Sequence, residues 1–170
     1  MESAVARYFA GERRGAAVFL AAGLAAVGLA LGLATRPTPY RGMIPPLGLL
    51  GLVEVVVGAT VFLRTPRQVE ALRVGLRAAE DGARSRERDR MHRVIASFRL
   101  YKVVETVLLT AGLTLMMLFP RHTPLYAAGL GCLLQASVLL VLDRLAERRA
   151  QEYACGLDPT SSRWPGSDRA

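Results

Sequence analysis

Residues 43–63, MIPPLGLLGLVEVVVGATVFL, decide the fold. The stretch is 21 residues long and carries a single ionisable side chain, Glu54. A helix rises about 1.5 Å per residue, so roughly 20 apolar residues cover the ~30 Å hydrocarbon layer of a bilayer. Pro45 and Pro46 fall in its first turn, where a missing N–H costs least. The stretch therefore reads as a membrane span. Three further blocks have the same character: 15–35, which contains no charge, 100–119 and 125–142. The sequence predicts an all-α, integral membrane bundle of four transmembrane helices, made of two helical hairpins with a helical cytoplasmic segment between them.

Working outward from the spans, the charge is gathered into the segments that separate or flank them. Residues 64–99 carry ten arginines, whereas the two short connections carry Arg36, Arg41 and Arg121. Basic residues are retained on the cytoplasmic side, so the 64–99 segment and both termini are expected there and the short connections outside. The expected organisation is a cytoplasmic N-terminus (1–14), a first transmembrane hairpin (15–63), a charged cytoplasmic helical segment (64–99), a second hairpin (100–142), a cytoplasmic helix extension (143–157) and a disordered tail (158–170) rich in Pro, Ser, Gly and charge. The first block is too long for a cleaved signal peptide and reads as a retained span. Within 64–99, Thr65-Pro66 reads as a helix start. Val69, Leu72, Leu76 and Ala79 form an apolar stripe, and Asp81-Gly82 reads as the end of that helix. Residues 84–93 suit a solvated helix face or a loose linker, and helix resumes near Met91 and runs into the third span.

The chain has 170 residues, is 52% hydrophobic and carries a formal charge of +8. Lys102 is the single lysine among 22 basic side chains, and Ala, Gly and Leu dominate the apolar blocks. Both biases point to a GC-rich bacterial genome, and with the spans they point to a bacterial inner membrane. Positive-inside topology accounts for the basic charge, and 64–99 also carries Glu70, Glu80, Asp81, Glu87 and Asp89, so no nucleic-acid partner is expected. Cys132 lies inside a span and Cys155 outside one, which rules out their pairing within one chain. No phosphate-binding loop, GxSxG or HExxH motif is present, and neither His92 nor His122 falls at membrane depth. No cofactor, metal or enzymatic activity is expected. The bilayer is the first partner. A homo-oligomer or a partner membrane protein is also expected, because Ala17, Ala21, Ala25, Gly28 and Gly32 form a small-residue ridge suited to close helix approach.

Three polar side chains fall at membrane depth: Glu54, Glu105 and Gln135. A charge at the bilayer centre costs roughly 2.5–3.5 kcal/mol on insertion scales, so such groups are candidates for an ion or proton site. Each also has a purely structural reading. Gly51, three residues before Glu54, and Gly58, four after, share its face, which implies close packing of another helix there. In that setting a neutral carboxylic acid can serve as an interhelical hydrogen-bonding group. Lys102 stands one turn from Glu105 and suits it as a partner near the interface. Gln135 suits an interhelical hydrogen bond. If Glu54 and Glu105 meet, they form a carboxyl pair able to share a proton or bind a cation. Thr106, Thr110 and Thr114 form a stripe whose hydroxyls can bond their own backbone. Asp143 and Glu147, one turn apart, read as a solvated helix end flanked by arginine. The leading functional expectation is a non-enzymatic scaffold, regulator or accessory subunit that presents the basic segment. The alternative is a small proton- or cation-coupled transporter using Glu54 and Glu105.

Overall fold

A computed structural model describes residues 2–78 and 80–157, with side chains omitted for 2–7 and for much of 72–84. The chain is all-α: α1 (Glu2–Ala34), a short 3₁₀ turn (Pro39–Met43), α2 (Ile44–Ala78), α3 (Glu80–Leu118) and α4 (Pro124–Leu157). All four helices are long and apolar enough to cross a membrane. The expected disordered tail, 158–170, lies outside the described residues, as do Ala79 and the side chains of Leu72 and Leu76.

Local chemistry sets the connections. Pro37 and Pro39 prevent α1 from continuing, and the Thr38 hydroxyl accepts the Tyr40 N–H at 3.3 Å to start the 3₁₀ turn. At the second short connection, the Thr123 hydroxyl accepts the Tyr126 N–H at 3.3 Å, and Pro124 occupies the first position of α4.

The helices contain 33 to 39 residues, so they run for about 50–60 Å, well beyond a hydrocarbon layer of ~30 Å. All four excesses lie at one end of the molecule, called here the charged end. They are the first part of α1, the last part of α2, the first part of α3 and the last part of α4. The molecule thus has an apolar storey and a charged storey. α1 packs along α2 and α3 along α4, and α4 also touches α1, α2 and the 3₁₀ turn. The backbones of α1 and α3 do not approach one another among the described residues, and α2 meets α3 over a short stretch.

The apolar storey is inside-out by the standards of a water-soluble protein. Its buried positions include small residues (Ala16, Ala26, Ala30, Ala127, Ala136) and polar ones (Glu54, Gln135), while Leu49 is 67% and Met117 78% exposed. Large aliphatic groups outside and small groups inside are what lipid-facing helices require. Near the short connections, Ala26, Ala30, Met43, Leu47 and Ala127 form one core. In the charged storey, Phe9, Met91, Phe98, Ala150 and Tyr153 form another, with Val69 packed against it. Tyr8 stacks on Tyr153 at 4.2 Å, and the Arg90 guanidinium sits over the Phe9 ring. Arg149 crosses from α4 to α1 and donates to the Gly11 carbonyl.

Two expectations need correction. Thr65-Pro66 does not start a helix: α2 runs unbroken through Pro66. The Thr65 hydroxyl donates to the Val61 carbonyl at 2.7 Å instead of capping, and the helix continues across the one hydrogen bond that Pro66 cannot make. The helix end expected at Asp81-Gly82 does not occur there: both residues lie within α3. Of the two readings offered for 84–93, a helix face and a loose linker, the structure has the helix.

The ridge expected to bring helices together lies wholly on the outer surface of the chain: Ala17, Ala21, Ala25, Gly28 and Gly32 are all exposed. A methyl group added at Gly28 or Gly32 would meet nothing within 4 Å. The close approaches are elsewhere. A Cβ on Gly23 would lie 2.6 Å from the Gly51 carbonyl oxygen, and one on Gly112 2.8 Å from that of Gly129. Gly28→Ala and Gly32→Ala are therefore expected to leave stability unchanged or raise it by up to ~1 kcal/mol each through helix propensity. Thermal unfolding in detergent checks this, and a clear loss at either site contradicts the open surface around it.

Candidate functional site

Glu54 sits midway along the apolar part of α2 and is fully buried. Two helices enclose it. α1 reaches α2 at this level because Gly23 and Gly51 let the backbones touch; a Cβ on Gly23 would lie 2.8 Å from the Glu54 Cβ. α4 brings Gln135, 3% exposed, to the same place, and its amide is the polar side chain that acts on the Glu54 carboxyl. The geometry between them is nevertheless poor. Neither Glu54 oxygen has a hydrogen-bond partner among the described residues, and neither does Gln135 Nε2. Leaving a buried polar group without a partner costs roughly 1–3 kcal/mol, and more if it is charged. This junction therefore lacks the satisfied hydrogen bonding that a purely structural glutamate would have.

Glu105 is the second buried acid, at 3% exposure. Glu54 is not among the groups that act on it, nor is Glu105 among those that act on Glu54. The neighbour of Glu105 across the contact is Asp143 of α4, the acid that acts on it most strongly. Lys102, expected to serve Glu105, instead donates to both carboxylate oxygens of Glu147, at 2.8 and 3.0 Å. The physical reason is direction: α3 lies along α4, which carries Asp143 and Glu147 one turn apart, so two tertiary pairs replace the local one. Asp143 and Glu147 are thus not a solvated helix end but the α4 side of this contact.

Gln135, Asp143 and Glu147 are spaced by eight and four residues and share one face of α4. That face carries polar groups from the charged end to the level of Glu54, interrupted by Leu139. The one sequence signal for it was this spacing.

The threonine stripe contributes no free polarity. Thr106, Thr110 and Thr114 donate to the carbonyls of Lys102, Thr106 and Thr110 at 2.7–2.8 Å. They line a shallow groove on the outer face of α3 with Val107 and Ala111. Cys132 and Cys155 are free thiols. Among the described residues, no group of three or more His, Cys, Asp or Glu side chains is placed to hold a metal ion.

No protein-family model, no curated protein and no solved structure matches the chain.

Proposed function

We propose that the chain is a four-span protein of a bacterial inner membrane, two helical hairpins with both termini and residues 64–99 in the cytoplasm, and that Glu54 carries a proton in small proton- or cation-coupled transport. One observation supports this above the others: a glutamate fully buried in the apolar storey with neither carboxyl oxygen hydrogen-bonded by the protein. An acid kept for helix association would be bonded, because that bond is its stabilising contribution. An acid kept for a transferable proton has to be free to bind and release it. The polar face of α4 gives the cytoplasmic side a partial approach to it.

Proteoliposomes loaded with a pH-sensitive dye test the proposal. Under an imposed proton gradient, with and without sodium or potassium gradients, the wild-type protein is expected to move protons. Glu54→Gln is expected to fall to the level of protein-free liposomes. Wild-type vesicles indistinguishable from empty ones sink the proposal.

A second reading has its own support. The four helix excesses close around Phe9, Met91, Phe98, Ala150 and Tyr153, which builds a packed head on the charged end. A scaffold, regulator or accessory subunit that presents this head needs no flux, and the same experiment separates the two readings.

A further inference from the structure

We infer that Glu105 and Asp143 form a proton-binding site of their own, one proton held between two carboxyls where α3 lies against α4. Glu105 is buried to 3% exposure and one of its oxygens has no hydrogen-bond partner among the described residues. Asp143 faces it from α4: the Lys102–Glu147 ion pair ties α3 to α4 at 2.8 Å, and Glu105 and Asp143 each lie one turn further along from it on their own helix. Ionised carboxylates only accept, so the two can bond one another only when one of them is the acid. Without that proton, two negative charges would stand side by side in a contact with little water.

The surrounding charges do not supply a substitute. Lys102, Arg144 and Glu147 are the other charged groups that act on the pair, and none comes from α1 or α2 among the described residues. Lys102 gives its hydrogen bonds to Glu147, and this ion pair lies one turn nearer the charged end than the acids on both helices, closing the site from that side. Among the described residues no third His, Cys, Asp or Glu joins the pair to hold a metal ion, and a single shared proton removes the repulsion between the two carboxyls.

The site is separate from that of Glu54. Gln135 and Asp143 are eight residues apart on α4, about 12 Å along its axis, with Leu139 between them on the same face. The inference therefore does not rest on the transport proposal. It has a mechanical consequence. At the other end of the same contact, Gly112 and Gly129 hold the α3 and α4 backbones together. Loss of the proton puts repulsion at the charged end alone, so the two helices loosen there first, and the pair reports pH on that side.

Infrared spectroscopy of the purified protein tests this through the carbonyl band of protonated carboxyl groups. At neutral pH the wild-type band should contain a component that Glu105→Gln removes, that Asp143→Asn shifts or removes, and that Glu54→Gln leaves in place. In the wild type that component should fade reversibly as pH rises. A wild-type band with no component beyond the one lost in Glu54→Gln overturns the inference without any need for the other variants to fold. So does a component indifferent to both Glu105→Gln and Asp143→Asn. If Glu54→Gln changes nothing while Glu105→Gln acts as expected, the Glu54 proposal fails and this one stands.

Discussion

Gly112→Leu is expected to part α3 from α4 and to leave no cooperatively folded protein. The first added carbon alone would sit 2.8 Å from the Gly129 carbonyl oxygen, 3.0 Å from the Leu133 nitrogen and 3.2 Å from the Cys132 Cβ. Two of these obstacles are backbone and cannot rotate aside. The approach is reciprocal, since a Cβ on Gly129 would lie 2.6 Å from the Gly112 carbonyl oxygen. Inserting a few methylenes into an ordinary core costs ~1–3 kcal/mol, and a whole leucine against fixed backbone should exceed that range. α3 has few alternatives: among the described residues its backbone does not approach α1, and α2 meets it over a short stretch. Thermal unfolding and size-exclusion profiles in detergent measure the loss. Gly28→Leu, at a glycine with nothing within 4 Å, is the matched control and should unfold like the wild type. A Gly112→Leu protein as stable as that control contradicts the close approach.

Phe9→Ala is expected to open the head on the charged end while sparing the apolar storey. Phe9 is buried and meets Tyr8 edge-on at 5.2 Å and Tyr153 at 6.3 Å, with Arg90 over its ring. It joins the start of α1 to α3 and α4. Truncating a buried phenylalanine costs ~3–5 kcal/mol, part of it from the lost aromatic contacts. Hydrogen exchange should rise at residues 8–14, 91–98 and 146–154, and remain unchanged around Glu54. Exchange that rises equally in both storeys would mean that head and apolar storey unfold as one unit.

The four apolar helices were legible because about 20 apolar residues in a row leave no other economical reading. The errors lie where a local signal met a tertiary one. Thr65-Pro66 has the chemistry of a helix start, but the Thr65 hydroxyl turns back to Val61 and α2 carries on. Asp81-Gly82 looks like a stop, but glycine inside a helix costs only ~1 kcal/mol relative to alanine, too little to break one against its surroundings. Lys102 and Glu105 look like neighbours because they are three residues apart, yet each finds its partner on α4. Spacing along one helix cannot reveal which face of another helix arrives beside it. Gly51 and Gly58 succeeded as signals for that reason: together with Glu54 they mark a face, and α1 fills it through Gly23, Ala26, Ala16 and Leu20. Gly28 and Gly32 have the same spacing logic but no helix reaches them.

The central claim is that Glu54 is kept for its proton and not for packing. Thermal unfolding of Glu54→Met in detergent tests it most directly, because methionine keeps the unbranched shape and removes the acid. With no protein hydrogen bond to lose at Glu54, the account predicts a melting temperature equal to or above that of the wild type. A large fall in melting temperature would show that the carboxyl stabilises the junction of α1, α2 and α4, and would contradict the account.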